Sequence, residues 1–227
     1  RGIINVELFG QTNDLSKLNK IAKKYKLSLL GDCAQSFGTF YKEKSSINYY
    51  DYSVMSFYPT KVFSCYGDGG ALAMNKNKLK EAQLLKNNGH EIYNKEKCKV
   101  LGVNSRLDNI QAYILYEKLK KLHLDLKIRK FNTQFLKLSN PSFLRLPKFN
   151  KNIRERFIKY MFRNKIQCVV FYKKLLNESN ILNPIIKTKL KNGIICSKSL
   201  VCIPTHNNIS KKEIARISKV INKFNYK

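Results

Sequence analysis

Residues 56–70 read Ser56-Phe57-Tyr58-Pro59-Thr60-Lys61-Val62-Phe63-Ser64-Cys65-Tyr66-Gly67-Asp68-Gly69-Gly70. One lysine stands between an apolar, hydroxyl-rich run and a tight glycine turn. Glycine permits positive φ and close backbone approach, so the stretch describes a rigid, closely packed loop. A lysine held in such a loop can be desolvated, lose its proton and attack a carbonyl. In so lysine-rich a chain, a solvated surface position is the competing reading for Lys61. Twenty-nine residues earlier, Asp32 stands at the end of the apolar run Leu27-Ser28-Leu29-Leu30.

Outward from this pair the pattern is that of an α/β protein. Ile4, Val6 and Leu8 alternate with Asn5 and Glu7, which predicts a strand. Gly10-Gln11-Thr12-Asn13-Asp14 is a turn that can cap a helix, and Leu15, Leu18, Ile21, Ala22 and Tyr25 follow at helical spacing. Residues 27–30 form a second short strand, giving a βαβ unit with parallel pairing. Residues 54–57 and 71–74 read as two more strands with the glycine turn between them. A helix is expected over 78–88 and a longer one from Leu107 towards Phe135. Asn140-Pro141 and Pro147 interrupt the pattern, so a domain boundary is placed at 139/140. Beyond it, a helix over 154–163, a strand over 167–172 and a short apolar run at 200–203 are expected. Ser210-Lys211-Lys212-Glu213 fits a capping box before a final helix with Ile214, Ile217, Val220, Ile221 and Phe224 on one face.

Lys and Arg number 44 against 15 Asp and Glu, a formal net charge of +29. One reading is a surface for nucleic acid or anionic membrane. The other is genomic base composition, since Lys, Asn, Ile, Tyr and Phe are abundant and Trp is absent. The lysines are spread along the whole chain, so nucleic acid is not expected as the principal partner. No apolar run approaches the roughly 20 residues of a membrane span. Six cysteines form no C-x-x-C pair and have no histidine at zinc-ligand spacing. They are expected to be reduced, mostly buried thiols of a cytoplasmic protein, with no metal site.

An acid at a strand end and a lysine on a following loop are two parts of a pyridoxal-phosphate site. A buried carboxylate at Asp32 would keep a pyridine nitrogen protonated; alternatively Asp32 caps the next turn. Gln35 either faces the cofactor from the same loop or is a surface amide. Ser56 either donates to the cofactor phosphate or is a strand-end hydroxyl.

Four motifs occur in order: Gly31-Asp32-Cys33-Ala34-Gln35-Ser36-Phe37-Gly38, Ser56-Phe57-Tyr58-Pro59-Thr60-Lys61, Tyr66-Gly67-Asp68-Gly69-Gly70-Ala71, and Gly102-Val103-Asn104-Ser105-Arg106-Leu107-Asp108-Asn109-Ile110-Gln111-Ala112. They resemble the successive signatures of the DegT/DnrJ/StrS-type nucleotide-sugar aminotransferases, and Val6-Glu7-Leu8-Phe9-Gly10-Gln11 fits as well. The resemblance covers residues 3–137 well and the rest more weakly. It implies a fold type I pyridoxal-phosphate enzyme acting as a homodimer, with a mostly parallel sheet and a second, shortened α+β domain over 140–227. It also implies roles. Lys61 bonds the cofactor and moves the proton. Asp32 pairs with the pyridine nitrogen, and Gln35 packs near the ring. Ser56 holds the phosphate, and Asn104 reaches the phosphate of the partner subunit's cofactor. The implied reaction moves an amino group, usually from glutamate, to a keto nucleotide sugar for cell-surface polysaccharide such as lipopolysaccharide. The motifs look most like the branch acting on UDP-2-acetamido-2-deoxy-3-oxo-glucuronate. There Arg106 would face the sugar carboxylate; its alternative is a helix-start arginine paired with Asp108 or another acid.

Several residues depart from the family pattern. Gly31 stands where the family has Glu, Asn88 replaces a His before Gly89, and Phe63-Ser64 replaces a smaller turn. The family's Gly-Thr phosphate loop precedes the segment matched here, and residues 148–153 are short for an aromatic-rich strand. The chain is therefore expected to be the C-terminal part of an aminotransferase, a split-gene product or a decaying gene. Alone it is expected not to turn over substrate, and a complementing N-terminal fragment or an inactive partner-subunit role is the corresponding alternative. Lys61 argues against the sugar-dehydrating relatives, which carry histidine there.

Overall fold

The computed structural model describes residues 1–93, 96–138, 143–145, 151–178 and 190–225. The first elements are β1 (Gly2–Val6), α1 (Leu15–Lys24), β2 (Ser28–Asp32), a small hairpin of β3 (Phe40–Tyr41) and β4 (Lys44–Ser45), then β5 (Tyr52–Ser56) and β6 (Gly70–Met74). Three helices follow, α2 (Leu79–Lys86), α3 (Asn109–Leu119) and α4 (Leu122–Phe135). The main sheet has the order β1-β2-β5-β6. The first two pairings are parallel, the β1–β2 one as the βαβ reading predicts, and the last is antiparallel. Helix α1 starts where Asp14 accepts a hydrogen bond from the Lys17 N–H at 3.1 Å. That bond, first among several, holds the Asp14 carboxyl below the usual carboxylate range.

Alternation along the strands sorts their residues onto two faces. Asn5, Leu29, Gly31 and Ser53 are buried on one face, and Leu15 of α1 is wholly buried as well. Ile4, Val6, Leu30, Asp32, Val54 and Ser56 lie on the other, where Ile4 is 71% and Val6 44% exposed. Asp32 and Ser56 therefore belong to the open face.

On the covered side the Glu7 carboxylate is wholly buried. An isolated buried charge would be prohibitive, so it needs donors. Tyr50 Oη donates to Oε1 and Ser46 Oγ to Oε2, both at 2.8 Å. Asn5 Nδ2 donates to Tyr50 Oη at 2.7 Å, and Asn13 Nδ2 to Asn5 Oδ1 at 2.6 Å. Burial, and then the neighbouring Glu7 carboxylate, push the Tyr50 hydroxyl well above its ordinary pKa. The network also explains Gly31: a Cβ there would lie 2.5 Å from the Tyr50 ring. Tyr50 occupies the space that a side chain at position 31 would fill.

The compact units are Arg1–His123 and Leu124–Lys227. This division falls inside the helical run, earlier than 139/140, because Leu136, just past the end of α4, is buried in the core of the second unit and Asn132 bonds within it. Asn140, Pro141 and Pro147 lie outside the described residues. The long helix expected from Leu107 is broken at Lys121, whose N–H turns back to the Lys118 carbonyl.

The second unit continues with β7 (Phe143–Arg145), α5 (Lys151–Arg163), α6 (Lys191–Ser199), β8 (Leu200–Cys202) and α7 (Lys211–Lys223). Its core joins Ile153, Phe157 and Met161 of α5 to Ile214, Ile217 and Ile221 of α7. The Ser210–Glu213 capping box is present. Asn132 Nδ2 bonds the carbonyls of Thr205 and His206, so the Pro204-Thr205-His206 turn is held through its backbone. The strand expected over 167–172 reduces to one bridge, Val169 with Cys202, because the chain turns from Phe171 onward. Among the described residues no helix is long and apolar enough to cross a membrane.

Removing the Tyr50 hydroxyl takes a side-chain donor from a buried carboxylate. Tyr50→Phe is expected to lower stability by about 1.5–3 kcal/mol. Urea unfolding followed by circular dichroism measures this, and an unchanged midpoint would refute the assignment.

Candidate active site

Parallel pairing sets Asp32 beside Val54, and Ser56 lies two residues further along β5 on the same face. Strand spacing then puts the two Cα atoms roughly 8 Å apart. Asp32 Oδ1 accepts from the Ala34 N–H at 3.1 Å, so the carboxylate caps its turn through one oxygen. Gln35 Oε1 accepts from the Phe9 N–H at 2.9 Å, which ties the turn after β2 to the segment after β1. The Glu7 N–H donates to the Asp32 carbonyl at 3.0 Å and reinforces the same junction.

Beyond Ser56, whose Oγ accepts from Tyr58 N–H at 3.4 Å, the chain forms the loop that carries Lys61. Tyr58-Pro59-Thr60-Lys61 closes as a turn with Lys61 N–H on the Tyr58 carbonyl at 2.9 Å. Proline at the second position presets the φ such a turn needs. Under the loop, Phe63 stacks on Phe37 at 4.8 Å, and Phe57 meets both edge-on. Phe63 is thus the floor of the loop, which accounts for a large residue where a small turn was expected. The ends of the loop are joined by Cys65 N–H to the Phe57 carbonyl and Phe57 N–H to the Gly69 carbonyl, each 2.8 Å. A Cβ on Gly69 would approach Cys65 Sγ to 2.8 Å, so glycine is needed there. Helix α3 holds the far side: Gln111 Oε1 accepts from Tyr66 N–H at 2.8 Å, and Lys118 Nζ donates to the Ser64 carbonyl at 2.6 Å.

Asn104 and Arg106 form a separate cluster. Arg106 Nε donates to Asn104 Oδ1 at 3.0 Å, and its NH1 donates to Asn87 Oδ1 at 3.2 Å. Asn87 and Asn104 also pair through their backbones. The salt bridge from Arg106 to Asp108 is not formed; Asp108 instead caps α3 through Gln111 N–H at 2.9 Å. Asn88, at φ 55°, takes the left-handed conformation that asparagine tolerates.

Asp32, Gln35, Ser56 and Lys61 are therefore gathered at the ends of β2 and β5 and on the loops leaving them. The donor set fits pyridoxal phosphate: a carboxylate for a pyridine nitrogen, a hydroxyl for a phosphate, and an amine for an aldehyde. The Glu7–Tyr50–Ser46 network and the Gln111 and Lys118 contacts escaped the sequence reading. Gly31 inside a strand was the one visible signal of the first.

The model of the DegT/DnrJ/EryC1/StrS aminotransferase family matches residues 1–139. The chain belongs to this family. It is 40% identical over 131 residues to the UDP-2-acetamido-2-deoxy-3-oxo-D-glucuronate aminotransferase of Pseudomonas aeruginosa, covering 57% of this chain and 36% of that protein. It is 30% identical to the dTDP-3-amino-3,6-dideoxy-alpha-D-galactopyranose transaminase of Aneurinibacillus thermoaerophilus over 100% of this chain and 66% of the relative. A solved DegT/DnrJ/EryC1/StrS aminotransferase from Brucella abortus superposes with a TM-score of 0.82 at 26% identity, covering 97% of this chain and 63% of that one. The chain spans between about a third and two thirds of the length of these relatives. Solved neighbours include a putative sugar aminotransferase from Streptococcus pneumoniae in a PLP form, with a TM-score of 0.84 at 19% identity, covering 96% of this chain and 67% of that one. The mostly parallel sheet here is part of a fold type I transferase fold.

The thiols differ in environment. Cys98 and Cys196 are exposed, against the expectation of mostly buried thiols, and Cys33 and Cys65 are buried. Burial, and then the Glu7 carboxylate, push the Cys33 thiol up to about 11, so it stays protonated and unreactive at neutral pH. Iodoacetamide at pH 8 is expected to modify Cys98 and Cys196 first, and Cys33 only on unfolding. Peptide mass mapping reads the order, and early labelling of Cys33 would contradict the site's packing.

Proposed function

We propose that this chain carries the amine-transfer chemistry of a pyridoxal-phosphate-dependent aminotransferase in the cytoplasm. The net reaction converts an amino acid, glutamate foremost, and a keto nucleotide sugar into a keto acid and an amino sugar for cell-surface polysaccharide. The observation that carries this reading is the placement of Asp32 and Ser56 on one sheet face at neighbouring strand ends, with Lys61 on the loop that leaves the second strand.

When bound, pyridoxal phosphate supplies an electron sink for the charge left when a proton leaves carbon. Asp32 keeps one oxygen on the Ala34 N–H, and its other oxygen would pair with the pyridine nitrogen and stabilise the proton there. Ser56 Oγ donates to the phosphate. Gln35, fixed by the Phe9 N–H, shapes the wall beside the ring. Lys61 Nζ would hold the cofactor, and as general base and then general acid it would take the proton from the donor carbon and return it. Asn104 would reach a phosphate of the neighbouring protomer's cofactor. Arg106, with Nε and one NH1 hydrogen on Asn104 and Asn87, presents its remaining N–H groups to a sugar carboxylate, which its planar fork suits.

A second copy of this chain is the proposed partner. Ile110, Tyr113, Tyr116 and Leu119 form a stripe along α3 and are each more than half exposed (73, 65, 60 and 54%). Such a stripe is a surface for another protein.

Lys61→Ala is expected to abolish the absorbance near 420 nm that pyridoxal phosphate develops on a lysine. Asp32→Asn is expected to leave the band but, with the complementing N-terminal fragment present, to cut amino transfer to a keto sugar by at least about 100-fold. A band that survives in Lys61→Ala would sink the proposal. For the dimer, Tyr113→Lys is expected to shift the sedimentation coefficient to that of the monomer, and an unshifted value would remove α3 from the interface.

A further inference from the structure

We infer that Lys118 is a positioning residue for the loop that carries Lys61, acting through Ser64 and Tyr66. The inference rests on the reading of Lys61 as the lysine that holds pyridoxal phosphate.

The loop is secured at its ends by backbone bonds, and the turn at Tyr58–Lys61 secures its start. The stretch from Val62 to Ser64 lies between these ties. From outside the loop, Phe63 is met by apolar groups, the Phe37 ring beneath it and the cluster that includes Leu115 of α3, and Ser64 is met by Lys118. The apolar contacts permit sliding. The Lys118 contact is directional: Nζ donates to the Ser64 carbonyl at 2.6 Å, lies 3.4 Å from Ser64 Oγ and sits 4.5 Å above the centre of the Tyr66 ring. A charged donor to a carbonyl is about twice as strong as a neutral one. The ring face adds a cation–π contribution on the same ammonium.

The charge belongs to this contact. Among the described residues no carboxylate lies within ion-pair distance of Lys118, although Lys120, two residues on, pairs with Glu117 at 2.6 Å. Lys118 instead stands in the last turn of α3, where the helix dipole favours a cation. Gln111 lies seven residues before it and takes the Tyr66 N–H. Seven residues are close to two helical turns, so both side chains project from one side of α3 onto consecutive parts of the loop. Helix α3 thus fixes the loop at two points, and Lys118 fixes the one nearer Lys61. An amine that must meet a single reacting atom is sensitive to shifts of about 1 Å in its support.

The test uses the full chain with Lys118→Met, which keeps the stem and loses the charge, and Lys118→Arg, which restores a charged donor. Hydrogen exchange by mass spectrometry reports on residues 62–67, and borohydride trapping of added pyridoxal phosphate on the Lys61 peptide reports on the site. Lys118→Met is expected to speed exchange in that peptide and weaken pyridoxal phosphate binding by about tenfold, with residues 29–32 unchanged. Lys118→Arg is expected to recover most of both. The inference is overturned if the parent chain traps the cofactor and Lys118→Met traps it equally well, or if Lys118→Arg behaves like Lys118→Met. If the parent chain traps nothing on Lys61, the reading of Lys61 fails and the inference falls with it, whatever the exchange shows.

Discussion

A carboxylate sealed from water governs the sheet. Glu7 follows β1 and has no exposed surface, so the fold must supply donors or lose several kcal/mol. It supplies Tyr50 and Ser46 from the segment that leads into β5, and Asn5 orients Tyr50 from β1 itself. Through Tyr50 the same requirement reaches β2, where only glycine leaves room for the ring. Three parallel strands are thereby locked together on the covered face. Their other face presents Asp32 and Ser56.

The loop after β5 solves a second problem, that of holding a lysine still on a short connection. Its floor is aromatic, its ends are tied by backbone bonds, and its outer side is held by α3. None of these supports touches the Lys61 amine. They restrict where its backbone can go, which is what a reactive amine on a loop requires. Phe63 belongs to that support.

Much of this was legible in the chain. Period-two and helical spacings located β1, α1, β2, β5 and β6, because each buries one face. The capping box marked the start of α7, and the glycine turn marked the connection between β5 and β6, whose antiparallel pairing only the fold shows. What escaped were effects of distant residues. The break between α3 and α4 has no glycine or proline to announce it. The division of the units depends on where the end of α4 and Leu136 are buried, which no local pattern states. The run at 167–172 looks like a strand but finds a partner only at Val169, because the chain turns before more pairs can form.

By itself the sequence determined the order of elements, the parallel start of the sheet, the family and the lysine on its glycine-bounded loop, since these depend on local spacing and residue chemistry. The tertiary structure decided that Glu7 is buried, that Gly31 makes room for Tyr50, that Arg106 meets two asparagines instead of an acid, and that Lys118 holds Ser64. Each of those contacts joins residues from 2 to 54 positions apart, according to which groups the fold brings within hydrogen-bond reach. Among 44 cationic side chains, composition treats Lys118 as any other; only the folded chain gives it a carbonyl to hold.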